Sequence, residues 1–123
     1  MNKAAVHKFC LSLPAVTYDV KWEIDGVYSV GGRMFAVAVQ DKGGPVRVGF
    51  KVDEDLFLQY TDREGFIPAP YLARAKWVQV TDTRKADAAE LKALLKRSHE
   101  LVAMKLTRKA RAVLGLAPPI ATK

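Results

Sequence analysis

The sequence predicts an α+β domain, an antiparallel sheet with helices packed on one face in the order α-β-β-β-α-β-α. Three observations lead there. Val46, Val48 and Phe50 alternate with Arg47, Gly49 and Lys51, the period of a strand with one buried face. Short turn signals, Gly31-Gly32 and Asp41-Lys42-Gly43-Gly44-Pro45, separate strand-like runs and so favour antiparallel neighbours. Finally, Asp87 with Glu90 three residues on has the form of a capping box before Leu91, Leu94, Leu95, Leu101 and Val102, which recur at helical spacing.

The elements follow in order. Val6, Phe9, Cys10 and Leu13 share one face of an opening helix that Pro14 stops, because proline disfavours helical geometry in the residue before it. A loop through Lys21-Trp22 leads to a strand from Ile24 to Val30, and Arg33 to Gln40 is the second strand beyond the glycine turn. Residues 46–51 form the third. Asp53 is placed to cap a short helix through Tyr60, with Leu56, Phe57 and Tyr60 on one face. Gly65, Pro68 and Pro70 mark residues 61–74 as loop, Lys76 to Thr81 is the fourth strand, and the last helix begins near residue 87. Thr107 either caps a further helix or lies within the same one, and Gly115 and Pro118-Pro119 end regular structure. The whole chain reads as one domain whose last ~8 residues form a tail.

Composition narrows the function classes. Half the residues are hydrophobic and 27% are charged, the balance of a globular protein, and no run approaches the ~20 apolar residues of a membrane span. The N-terminus has no long apolar stretch with a small-residue cleavage site, so the expected compartment is the cytoplasm. Cys10 is the only cysteine, which leaves no internal disulfide and no Cys-rich zinc site. Charge is unevenly placed. Residues 1–83 hold ten basic and ten acidic side chains, whereas residues 84–123 hold ten basic against three acidic, so the whole net charge of +7 lies at one end. Clustered positive charge favours a polyanionic partner, most often nucleic acid, although basic helical faces also serve solubility alone.

If Phe35, Val37 and Val39 point to the helices, strict alternation sends Met34, Ala36, Ala38 and Gln40 to the other face, with Arg47, Gly49, Lys51, Trp77 and Gln79. That assignment holds only if no bulge shifts the register. An uncovered sheet face of this kind suits phosphates or a flat ligand, and Trp22, Trp77 and Gln79 are its ligand candidates. Tryptophans in such places more often complete a core than stack on bases.

Several local patterns, taken in order, resemble the MmcQ/YjbR family: Leu13-Pro14, Lys21-Trp22, Tyr28-Ser29-Val30-Gly31-Gly32-Arg33-Met34-Phe35-Ala36, Phe50-Lys51, Ile67-Pro68-Ala69-Pro70-Tyr71-Leu72, Lys76-Trp77-Val78 and Ser98-His99-Glu100-Leu101-Val102. The resemblance spans most of the chain. It implies a frataxin-like (CyaY-like) α+β sandwich and a non-enzymatic DNA-binding protein with a "double wing" of β hairpins. Two positions depart from the family pattern: Arg33 stands where Lys is frequent, which keeps the charge, and His99 stands where Tyr is frequent.

On that resemblance Arg33, Lys42 and Arg47 flank the wings, and Lys51 is the next candidate for phosphate contact. Lys92, Lys96, Arg97, Lys105, Arg108, Lys109 and Arg111 would add sequence-independent attraction. No helix-turn-helix or zinc finger is present to read base edges, so binding to DNA is expected to be weak or shape-dependent. The expected partners are thus DNA or, on a second reading, a small molecule or protein at the sheet face, with the protein itself a monomer and no membrane involved.

The sequence calls for no catalytic residue, no cofactor and no metal. Cys10 and His7 lie three apart on the first helix, but Cys10 belongs to its apolar stripe, where cysteine behaves as a small hydrophobe. Asp53, Glu54 and Asp55 are better explained by helix capping than by a carboxylate site. The first helix, residues 2–13, has no Asp or Glu, so the acidic ridge expected of an iron-binding frataxin is missing.

Overall fold

The computed structural model describes residues 1–21, 25–40 and 42–116. Helix α1 (Lys3–Ser12) starts at Asn2, whose side chain accepts from the Ala5 N–H, and it buries Val6 and Cys10. Strand β1 (Val16–Lys21) follows directly, where the sequence reading has a loop. Its Val16, Tyr18 and Val20 do alternate with Thr17, Asp19 and Lys21, but β1 is an edge strand with most residues exposed, so the alternation marks no deeply buried face. Strands β2 (Asp25–Val30), β3 (Arg33–Gln40) and β4 (Val46–Lys51) then form the two predicted hairpins.

After β4 a 3₁₀ turn (Glu54–Leu56) leads into α2 (Phe57–Thr61). Strand β5 (Phe66–Pro68) lies within the predicted loop 61–74. Its proline is compatible with a three-residue strand on the sheet edge, where one side of the backbone needs no ladder partner. A second 3₁₀ turn (Ala73–Ala75), β6 (Trp77–Val80), α3 (Ala88–Ala103) and α4 (Arg108–Val113) complete the described chain. The predicted order is retained, with one added strand at each edge. Thr107 does cap a separate helix, its hydroxyl accepting from the Ala110 N–H. The expected C-terminal tail lies almost wholly outside the described residues, as does Trp22.

All strand pairs are antiparallel, in the spatial order β1-β2-β3-β4-β6-β5. Helices α1 and α3 cover one face, where Val6, Cys10, Leu91 and Leu95 meet Phe35, Ala36, Val48, Phe50 and Val78. The face assignment for β3 needs correction. Tyr28 pairs with Ala36, but Ser29 pairs with Met34, so Phe35 is an extra residue in a β-bulge. Phe35 and Ala36 are therefore both buried, and the alternation reverses beyond them: Ala36 and Ala38 face the helices, while Val37 and Val39 turn to the open face. Val48 and Phe50 stand opposite Ala38 and Ala36, confirming that these four share the core side.

Ser98 on α3 fixes this arrangement. Its hydroxyl donates to the Phe35 carbonyl (2.6 Å) and accepts from the Lys51 N–H (2.9 Å), joining the helix to the bulge and to the end of β4. His99 packs its ring against Phe35 and donates from Nε2 to the Pro14 carbonyl (2.8 Å), so it ties α3 to the end of α1.

Candidate nucleic-acid interface and the open sheet face

The two hairpin turns lie at opposite ends of β3. Arg33 begins that strand and Lys42 follows it, so they are separated by roughly 25 Å along eight residues at about 3.3 Å each. Arg33 and the pair Lys42 and Arg47 therefore belong to different ends of the sheet. Lys51, at the far end of β4, lies at the Arg33 end.

The Arg33 end collects further basic residues from separate segments. Burial lowers the Lys51 pKa first, and the positive charge of Lys105 lowers it further. Lys76 acts in the same direction and Glu54 opposes them, so three ammonium groups are neighbours. The Lys51 ammonium donates to the Ala75 carbonyl, and Lys76 lies over the Phe57 ring at 5.2 Å. Gly31 brings the hairpin onto the α3–α4 junction. Its φ of +60° suits glycine, and a Cβ there would lie 2.8 Å from the Leu106 methyls. A hollow lined by Gly31, Thr107 and Lys109 continues from the turn onto α4, which Arg108 opens.

The other candidates are placed elsewhere. Lys92 and Lys96 are exposed one turn apart on α3, which lies across the sheet from the open face. Arg97 is held in a two-pronged ion pair by Asp53 (2.8 and 2.7 Å), with a further contact to Glu100 at 3.4 Å. Arg111 is buried and donates to the Ala103 carbonyl at 2.7 Å, closing the end of α3. Both arginines therefore have structural partners, which charge counting along a sequence does not reveal.

Asp53 likewise makes no side-chain cap to the turn it precedes; its carboxylate serves Arg97. The hydrogen bond from Arg97 holds the Asp53 carboxyl below its ordinary value of 3.8. Because the folded value is depressed, the pair's stabilisation is complete above about pH 4 and is lost as pH falls through the folded value. Both side chains are partly exposed, so Asp53→Asn is expected to cost only about 1 kcal/mol at pH 7. Urea melts should show that difference shrinking as pH falls below about 4; an undiminished difference there would mean the carboxylate charge is not its source.

On the open face, Met34, Val37 and Val39 of β3 line a cleft of about 650 Å³ together with Gly49 of β4 and Trp77 and Gln79 of β6. Residues 69–72, following β5, form its wall. Sequence alternation brought Arg47, Gly49, Trp77 and Gln79 here correctly, but it missed Val37 and Val39 because of the bulge. The wall was visible only as a Pro-rich loop. Trp77 is buried, and its Cε3 lies 3.8 Å from the position a Gly49 Cβ would occupy. Gln79 is only 7% exposed, and its amide makes no hydrogen bond among the described residues.

Elsewhere, burial pushes the Cys10 thiol up to about 12, and His7 Nδ1 is bonded to the Tyr28 hydroxyl at 2.8 Å. That pair is thus not arranged as nucleophile and base. Among the described residues no group of three or more His, Cys, Asp or Glu could hold a metal ion, and no helix is long and apolar enough to cross a membrane.

The fold is a two-layer α+β sandwich in which one face of a six-stranded antiparallel sheet lies open beside a basic end. The YjbR family model matches residues 11–101, and the chain belongs to that family. The structure of the Deinococcus radiodurans protein DR2400, described as a DUF419 domain, is similar at a TM-score of 0.83 and 26% identity, covering 98% of this chain and 92% of that one. A protein from Pseudomonas syringae, a structural-genomics target, shares the fold at a TM-score of 0.71 and 17% identity, covering 83% of this chain and 99% of that one. No curated protein matches the chain.

Proposed function

We propose that this protein binds nucleic acid through phosphate contacts at the end of the sheet where Arg33, Lys51, Lys76, Lys105, Arg108 and Lys109 gather. The observation that carries the reading is convergence. The β2–β3 hairpin, the end of β4, the start of β6 and the α3–α4 junction are distant in sequence, yet each delivers basic residues to the same end. Like charges held together repel one another, and a phosphate backbone among them relieves that repulsion and releases its own counterions. Such contacts position a protein without reading bases. In this reading the protein is a non-enzymatic cytoplasmic monomer, and Lys42, Lys92 and Lys96 add only diffuse attraction.

The test is fluorescence anisotropy of labelled duplex DNA over a range of salt concentrations. Log affinity should fall linearly with log salt. The Lys51→Glu, Lys105→Glu, Lys109→Glu triple variant should bind about 100-fold more weakly and flatten the slope by about three, roughly one per lost phosphate contact. Reversing Lys92 and Lys96 should have a much smaller effect. The proposal fails if the wild type does not bind at low salt, or if the triple variant, folded by circular dichroism, binds as well as the wild type.

A further inference from the structure

We propose that the cleft on the open sheet face receives one unpaired nucleobase of a single strand whose phosphates lie on the basic end, so that the protein prefers single-stranded to duplex nucleic acid. This rests on the phosphate-binding reading and adds a second site to it. The cleft's volume of about 650 Å³ falls in the range of small-ligand pockets, and its lining of Met34, Val37, Val39 and Trp77 suits a flat aromatic ring.

Two details specify the occupant further. Gln79 lines the cleft with most of its side chain packed away, and its amide makes no hydrogen bond to the described residues but stays accessible from the cleft. There the amide offers a donor and an acceptor side by side to whatever enters. The exposed edge of an unpaired adenine presents the matching acceptor and donor. Gly49 supplies the room, because it stands directly across from Gln79 and leaves the cleft floor without a side chain.

The position of the cleft supplies the link to phosphate. Trp77 at one end is the cross-strand partner of Lys51 and follows Lys76, while Met34 at the same end follows Arg33. A base in the cleft therefore has its sugar and phosphate directed toward the basic end. A base paired within a duplex has its edge already engaged and its faces stacked, so only an unpaired one can enter.

The experiment compares a labelled oligodeoxyadenylate with the same strand annealed to oligodeoxythymidylate. Wild type should bind the single strand about tenfold more tightly, the scale of one stacked base. Gly49→Val fills the cleft floor, where an added Cβ meets only ordinary contacts at 3.6 and 3.8 Å, and Gln79→Leu removes the amide. Each should bring single-strand affinity down to the duplex level while leaving duplex affinity and its salt slope unchanged. Equal wild-type affinity for both forms overturns the inference while the phosphate reading stands. So does a single-strand preference that survives both variants. Absence of salt-dependent binding to either form overturns both.

Discussion

Ala38→Glu is expected to prevent folding, whereas Val39→Glu leaves the protein folded with a loss of about 1 kcal/mol. The residues are neighbours in β3, and the contrast depends wholly on the bulge at Phe35. Ala38 is 2% exposed and belongs to the core between sheet and helices. A carboxylate there has no partner and no water, and either the unpaired charge or the proton needed to neutralise it costs about 4 kcal/mol or more. Against a total stability of roughly 5–15 kcal/mol, that loss removes most or all of the native population. Val39 is half-buried in the open cleft and stands across from Arg47, so a carboxylate at 39 keeps contact with water. Circular dichroism and urea titration of the two variants check this. Strict alternation along β3 predicts the reverse, and a folded Ala38→Glu beside an unfolded Val39→Glu would refute the bulge.

That bulge marks where the sequence stopped being legible. Both hairpins, β3 and β4 to the residue, and the start of α3 at Asp87 could all be read from turn residues, period-two alternation and a capping pair. These signals are local, and so is the physics behind them. The bulge is not local. Phe35 and Ala36 both turn inward because Ser98, 63 residues along the chain from Phe35, holds the Phe35 carbonyl, and no window of sequence contains that hydrogen bond.

The same reason separates the useful basic residues from the engaged ones. Arg97, Arg111 and Lys105 are equivalent in a charge count, yet one is claimed by Asp53, 44 residues away, and another by the end of α3. Only Lys105 is left beside Lys51. Half the cleft, Trp77, Gln79 and Gly49, could be read from the strands. The other half depended on the bulge and on residues 69–72, whose prolines announce a loop without indicating what it encloses.

Ser98→Ala is the second substitution with a large expected effect, and it tests the joint on which both candidate surfaces depend. Ser98 is fully buried, and its one hydroxyl serves two backbone groups: it donates to the Phe35 carbonyl and accepts from the Lys51 N–H. Alanine fits the space but leaves both groups without a partner. Each unsatisfied buried group costs about 1–3 kcal/mol, so the expected loss is about 3 kcal/mol. For a domain of this size that lowers the melting temperature by roughly 10–15 °C. The loss also has a direction. Phe35 sets the register that turns Val37 and Val39 into the cleft, and Lys51 connects the cleft to the basic end, so on the proposed reading the folded fraction of Ser98→Ala should lose single-strand preference before it loses salt-dependent duplex binding. Calorimetric melting gives the first quantity and anisotropy below the melting range gives the second. A drop of less than 1 kcal/mol would mean that the two backbone groups find other partners, and that α3 does not hold the bulge in place.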